Sequence, residues 1–252
     1  MTAPIPRDIP DLPAIPGIPG VLPAPVPAAA VVAPCRRRLT AAFRLLIALT
    51  AAAAVSVEIW LGAPLRVLSR ISIQSGILLA VVMLLSARKA WTARKPLPSA
   101  LTGAALLYAV IAALVYHLLL ADVTPPPTGW HALTNVILHT AAPAAAVLDW
   151  LLLTAPAALH LRQAATWLIY PATYLVFTLA RAELLSPGTE ARYLYPFLDV
   201  DAHGYKSVLA NALLIGLSIY ALAVLLVALD HTRPNPIRHR AKTGFRLQPP
   251  VG

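Results

Sequence analysis

The chain has 252 residues, of which 59% are apolar and only 12% are charged, and its mean hydropathy of +0.72 excludes an ordinary soluble domain. The net charge of +10 does not indicate nucleic-acid binding, because the basic residues flank apolar runs, as they do in membrane proteins. The one cysteine, Cys35, excludes an internal disulfide and a cysteine metal site.

The chain begins with a tail rich in proline and alanine. Prolines recur throughout residues 1–35, and proline at this density prevents both helices and strand ladders. We therefore predict that residues 1–38 form a disordered cytoplasmic tail.

Six apolar stretches follow the tail, and each is long enough to cross a bilayer as a helix. They cover residues 41–61, 68–87, 100–120, 131–153, 164–184 and 206–229. Proline, glycine or charged residues bound each stretch. The sequence thus predicts an all-α, polytopic membrane protein, with a bundle of six transmembrane helices over residues 39–231 and a basic cytoplasmic tail over residues 232–252.

Lysine and arginine are distributed unevenly between the two predicted sides of the membrane. One side carries Arg36, Arg37, Arg38, Arg88, Lys89, Arg94, Lys95, Arg162, Arg233, Arg238, Arg240, Lys242 and Arg246. The other side carries Arg66, Arg192 and Lys206, with Arg70 and Arg181 near helix ends. Because cytoplasmic loops are enriched in these residues, we expect a multi-pass protein of the plasma membrane with both termini in the cytoplasm.

Polar residues from five segments fall at one predicted depth, in the outer half of the membrane. Intramembrane polar groups usually face the bundle interior or a wet cavity, which predicts one outward-facing polar pocket. Its supporting members would be Glu58, Arg70, Gln74, Asn135, Arg181, Tyr195, Asp199 and Asp201. Ser72 and His139 share this depth, and a neutral histidine can activate a serine hydroxyl near pH 7. Asn135, one helical turn from His139, is the candidate to orient the imidazole or stabilise an oxyanion.

Several segments resemble a known family of bacterial six-transmembrane proteins. They are Ile73-Gln74-Ser75, Asn135-x-x-x-His139-Thr140-x-x-Pro143 with Asp149-Trp150, Trp167-Leu168-x-Tyr170-Pro171-x-x-Tyr174 with Arg181, and Tyr195-Pro196-Phe197-Leu198-Asp199-Val200-Asp201-x-x-Gly204-Tyr205. This likeness covers residues 40–231. More distantly, the chain is similar to the androgen-induced and androgen-dependent tissue-factor-pathway-inhibitor-regulating proteins.

Those distant relatives are multi-pass hydrolases of fatty acid esters, and they need an intramembrane threonine and histidine. The resemblance implies that His139 is the histidine and that Ser72 stands where the family has threonine. The expected function is therefore hydrolysis of lipid or fatty acid esters inside the membrane. The expected partners are the bilayer and a fatty-acyl ester; no cofactor, metal or nucleic acid is predicted.

Other interpretations of the same residues stay open at this point. Ser72-x-x-x-Gly76 also fits close helix packing, and His139 also fits a hydrogen-bonded core histidine. A transporter would use Glu58, Arg70 and Asp199 as gates, and a haem protein would pair His117 with His139. A structural or interaction protein remains the third alternative. For the segment around Tyr195, a lid over the pocket competes with a solvated loop whose acids cap the last helix.

Overall fold

The computed structural model describes residues 34–186, 188–189 and 192–234, and these ranges contain helices and no strand. The helices are α1 (Pro34–Leu61), α2 (Pro64–Leu68), α3 (Ile71–Trp91), α4 (Ser99–Val115), α5 (Gly129–Val136), α6 (Ala142–Leu153), α7 (Leu161–Thr166), α8 (Ile169–Glu183) and α9 (Val200–Thr232). Two π-helical segments are also present. The first, π1 (Tyr116–Leu120), continues α4, and the second, π2 (Ile137–Ala141), joins α5 to α6. A 3-10 turn spans Pro196–Leu198. Both predicted tails lie largely outside the described residues.

The predicted all-α membrane fold is confirmed. Among the described residues, five helical spans are long and apolar enough to cross a membrane, namely Arg36–Leu61, Ile71–Trp91, Ser99–Leu120, Gly129–Leu153 and Val200–Thr232. Large apolar side chains on their outer faces are exposed, which suits contact with lipid rather than water.

The stretch predicted as a helix over residues 164–184 is divided into α7 and α8 at Trp167 and Leu168. Pro171 explains the position of the break, because proline has no N–H to donate to the carbonyl four residues earlier and its ring clashes with that carbonyl. The carbonyl in question belongs to Trp167, and the Tyr108 hydroxyl donates to it instead, at 2.7 Å. A side chain of α4 therefore supplies the hydrogen bond that the Trp167 carbonyl lacks within its own helix.

Pro143 has a similar effect on the helix that contains His139. The carbonyl four residues before Pro143 is that of His139 itself, and π2 covers this part of the chain. A π turn widens the backbone by one residue, and such turns are frequent at functional sites.

Side-chain contacts define two ends of the bundle. At one end, which we call the basic end, Arg44 near the start of α1 bonds Asp149 near the end of α6, and Arg233 after α9 donates to the carbonyl of Thr154. At the opposite end, Glu58 of α1 meets His131 of α5. The start of α1 and the end of α9 therefore lie at the same end of the bundle, the basic end.

Small residues bring the helices of the interior close together. Ala51, Ala105 and Ala146, from α1, α4 and α6, are almost completely buried in one cluster. A Cβ added to Gly76 of α3 would lie 3.1 Å from Leu138 and 3.3 Å from Val55. The predicted packing face that follows Ser72 thus exists, and it lies one turn beyond the serine.

Candidate functional site

A cavity of about 620 Å³ lies between α3, α4, α8 and α9, in the half of the bundle that is farther from the basic end. Its wall is mostly leucine, isoleucine, valine, alanine and aromatic side chains. Ser72, His139 and Tyr195 are polar members of that wall, contributed by α3, π2 and the segment before α9. The cavity therefore combines an apolar volume with a few polar groups, which is typical of small-molecule sites.

Ser72 is the second residue of α3, directly after the N-terminal residue Ile71. The amide of Gln74 bonds the carbonyl of Arg70, so the N–H groups of Ile71, Ser72 and Ile73 precede the first hydrogen-bonded turn. The positive end of the helix dipole falls at this point. Ser72 thus stands where developing negative charge is stabilised.

His139 is fixed in orientation by the helix that carries it and by Tyr116 of π1. Its Nδ1 lies 3.2 Å from the carbonyl oxygen of Asn135, which can only accept, so we assign the proton to Nδ1. The ring also stacks on Tyr116, with centroids 4.5 Å apart and an interplanar angle of 26°. In this tautomer Nε2 keeps its lone pair and can act as a base.

Asn135 contributes to the site through its backbone and its side chain in different ways. Its carbonyl orients His139, as described above, and its side-chain amide donates to the Tyr116 hydroxyl. The predicted role in orienting the histidine is therefore compatible with the geometry. The amide is engaged with Tyr116, which makes it less suited to an oxyanion.

Tyr195 belongs to the segment expected to cover the pocket. It is buried against Tyr174, Leu198 and Val208 and stacks on Phe197 at 5.3 Å. Its hydroxyl adjoins Ser72, Tyr174 and the backbone N–H of Ile71. Burial raises the pKa of Tyr195, so the phenol stays protonated and able to donate at neutral pH.

The segment around Tyr195 combines features of both interpretations. Tyr195, Phe197 and Leu198 line the cavity, as a lid would. Asp199 immediately after them caps α9, accepting from the amide of Ala202 at 3.0 Å. The described part of this segment is therefore folded onto the cavity and also starts the last helix.

Glu58 and Arg70 form a separate polar group beside the cavity. Glu58 is buried and accepts from Thr134 and from Nδ1 of His131, the latter at 3.0 Å. Arg70 lies 4.0 Å from the same carboxylate. Neither Glu58 nor Arg70 lines the cavity wall, so they are neighbours of Ser72 and not its partners.

The remaining predicted members of the pocket lie in other places. Gln74 accepts from the Tyr170 hydroxyl at 2.7 Å and donates to the Leu68 carbonyl. Arg181 donates to the carbonyl of Arg192, and Asp201 pairs with the Arg192 guanidinium at 2.6 Å. The structure therefore gathers Ser72, His139 and Tyr195, with Asn135 behind the histidine, and distributes the others around them.

His117 does not face His139 across an open space. Tyr116 lies against both imidazoles, edge-on to His117 at 5.1 Å and stacked on His139. Nε2 of His117 is 3.0 Å from the Thr140 hydroxyl. The haem interpretation gains no support from this arrangement.

Two ionic groups at the basic end had no assigned role in the sequence interpretation. Arg44 joins Asp149 at 2.8 Å and Thr154 at 3.1 Å. Asp230 is 1% exposed and joins Arg233, Trp150 and the loop before α7. The available signal was an acid at the end of an apolar stretch, with Asp149 inside residues 131–153 and Asp230 directly after residues 206–229. Arg44, however, lies 105 residues from Asp149, and Arg233 lies beyond the last stretch.

The chain is an integral membrane protein with several spans, because the part that the structure describes holds five helical spans long and apolar enough to cross a bilayer. No protein-family model, no curated protein and no solved structure matches it.

Proposed function

We propose that the chain is an intramembrane hydrolase of lipid or fatty acid esters in which Ser72 is the nucleophile and His139 is the general base. The observation that carries the proposal is the shared cavity: both side chains stand on the wall of one largely apolar volume of about 620 Å³. The likeness of Ser72 and His139 to the threonine and histidine of the fatty-ester hydrolases agrees with it.

In the proposed reaction, the Ser72 hydroxyl attacks the ester carbonyl carbon while Nε2 of His139 takes the hydroxyl proton. The tetrahedral oxyanion is stabilised by the N-terminal amides of α3 and by the Tyr195 hydroxyl. The carbon–oxygen bond to the alcohol then breaks, and His139 returns the proton to the leaving oxygen. Water, activated by the same histidine, hydrolyses the acyl-serine and releases the fatty acid.

The wall formed by α9 favours a substrate that arrives from the bilayer. Leu209, Leu213 and Leu217 repeat every four residues along one face of α9, and they line the cavity while remaining more than half exposed. A surface that is exposed in this part of the chain faces lipid. An acyl chain can therefore pass from the membrane into the cavity without crossing water.

We further infer that the chain crosses the membrane six times, with both termini in the cytoplasm. The start of α1 and the end of α9 both lie at the basic end. A chain whose first and last helices start and finish on the same side of the membrane crosses it an even number of times. The sixth crossing would be α7 and α8 together: Trp167 Nε1 donates to Ala100 near the basic end, and the Tyr174 hydroxyl donates to Ser69 near the opposite end. The excess of lysine and arginine at the basic end supports its cytoplasmic location.

The test of catalysis uses purified full-length protein and a fluorophosphonate probe, followed by turnover of a medium-chain fatty acyl ester. We expect Ser72→Ala to abolish labelling and His139→Ala to slow it, with turnover falling on the order of a thousandfold in each. The double variant should be no slower than either single variant, because a nucleophile and its base act as one unit. Ser72→Thr should keep part of the activity, since it retains the hydroxyl.

Ser75→Ala is the matched control. Ser75 is another serine of α3, but it is buried, its hydroxyl donates to the Ser72 carbonyl at 2.9 Å, and it does not line the cavity. We expect unchanged labelling in this variant. Full labelling of Ser72→Ala would contradict the proposal and leave Ser72 as a packing residue.

A further inference from the structure

A second cavity, of about 270 Å³, opens at the basic end of the bundle, far from Ser72. It lies between the start of α1, the end of α3, the start of α4 and the end of α6. Five cationic side chains contribute to its wall, namely Arg36, Arg37, Arg44, Lys89 and Arg94. We call this volume the basic cavity.

The acids that border the basic cavity are already engaged. Asp149 is paired with Arg44 at 2.8 Å, and Asp230 is paired with Arg233 at 2.9 Å. Asp230 also accepts the amides of Ala158 and Leu159, at 2.8 and 2.9 Å. The two carboxylates therefore have partners other than Arg37 and Lys89.

Arg37 carries the clearest sign of an absent acceptor. Its Nε is buried and has no hydrogen-bond partner among the described residues. A buried donor without an acceptor is unfavourable, and a bound anion would supply one. Lys89 is half-buried in the same wall.

The wall of the basic cavity also contains hydroxyl groups and apolar side chains. Ser99 and Thr102, in the first turn of α4, add hydroxyl groups that suit a phosphate oxygen. Val82, Met83 and Leu106 form an apolar floor that suits the glycerol and upper acyl carbons of a lipid. This combination distinguishes the basic cavity from a site built for a free ion.

We propose that the basic cavity binds the phosphate-bearing headgroup of an anionic phospholipid. Basic pockets between transmembrane helices at the cytoplasmic surface are suited to such headgroups. Arg37 and Lys89 hold the phosphate, and the apolar floor holds the adjoining glycerol. The site is separate from the ester cavity, so it stands whether or not Ser72 is a nucleophile.

The test compares two double variants of the full-length protein that remove the same charge from the same helices. Arg37→Gln with Lys89→Gln removes two cations of the cavity wall. Arg38→Gln with Arg88→Gln removes the two neighbouring cations, which are exposed and do not line the cavity. Native mass spectrometry in detergent then measures the binding of phosphatidylglycerol, with phosphatidylcholine as the zwitterionic reference.

We expect the unchanged protein to bind phosphatidylglycerol at least tenfold more tightly than phosphatidylcholine. The cavity variant should lose affinity by about thirtyfold, from the loss of two favourable charges. The control variant should stay within about threefold of the unchanged protein, since exposed charges are screened by salt. A parallel measurement with millimolar inorganic phosphate should leave phosphatidylglycerol bound.

Equal losses in the two double variants would overturn the proposal, because surface charge in general would then explain the binding. Displacement of phosphatidylglycerol by inorganic phosphate alone would also overturn it, in favour of a free-phosphate site. Thermal unfolding in detergent is also measured for each double variant, so that a misfolded protein is recognised independently of catalysis. Fluorophosphonate labelling of the same samples then separates failure of the lipid site from failure of catalysis.

Discussion

The Asp230 carboxylate joins three parts of the chain at the basic end. It accepts from the backbone of residues 158 and 159, from the Trp150 indole at 3.1 Å, and from the Arg233 guanidinium. Arg233 in turn donates to the carbonyls of Thr154 and Ala155. One buried ion pair thereby fixes the loop between α6 and α7 to the end of α9.

We predict that Asp230→Asn lowers the free energy of unfolding by about 3 kcal/mol, because it leaves the buried Arg233 without its counter-charge. Thermal or denaturant unfolding in detergent measures the change. Asp201→Asn is the control: Asp201 also pairs with an arginine, but its side chain is 56% exposed, and such pairs contribute at most about 1 kcal/mol. Equal losses in the two variants would contradict this explanation.

Tyr195 gives a second prediction for a single side chain. If its hydroxyl stabilises the oxyanion formed at Ser72, Tyr195→Phe should lower kcat about a hundredfold and leave KM nearly unchanged. Tyr193→Phe is the matched control, because the Tyr193 hydroxyl donates to Asp201 and Tyr193 does not line the cavity. Unchanged kcat in Tyr195→Phe would assign the residue to packing alone.

Among the helices, α9 shows how one glycine changes an element. Gly204 has φ 72° and ψ 157° inside α9, so the turn capped by Asp199 is separated from the long helix that follows. A residue with a Cβ rarely adopts this conformation. The glycine therefore sets the angle between the cavity-lining segment of Tyr195 and the rest of α9.

We predict that Gly204→Ala destabilises the protein by about 1–3 kcal/mol. The cause is backbone strain at the positive φ and not a steric clash, because an added Cβ meets nothing within 4 Å. Gly216→Ala is the matched control in the same helix. Its Cβ also meets nothing within 4 Å, but its backbone is helical, so the change should be neutral or stabilising by about 1 kcal/mol. Unfolding of both variants in detergent distinguishes strain from packing, and equal stabilities would contradict the explanation.

For the molecule as a whole, the principal prediction concerns its orientation in the membrane. Reporter fusions at residues 92, 125 and 240 should read inside, outside and inside, because the first and third follow the basic end and the second follows the opposite end. A phosphatase reporter, active outside, and a fluorescent reporter, active inside, give complementary signals at each position. An outside reading at residue 240 would contradict six crossings with cytoplasmic termini.

The chain sequence determined the helical spans, while the orientation that it predicts stays a prediction. Transfer of an apolar segment into lipid depends on that segment alone, so composition and length were sufficient for residues 71–91 or 99–120. The sequence also predicts a common depth for Ser72, His139 and Glu58, because the rise per residue of a helix is fixed. Pro171 was visible in the sequence, yet the break at Trp167 was missed because apolarity alone was followed through residues 164–184.

Tertiary structure alone decided which polar groups at one depth meet each other. The rotation of each helix about its axis depends on its neighbours, and so Glu58 faces His131 and Thr134 while Ser72 faces the cavity. Asp149 likewise met Arg44, and Asp230 met Trp150, only when distant helices packed together. Depth is a property of a single segment, but contact is a property of pairs of segments, and for that reason only the assembled bundle revealed the two cavities.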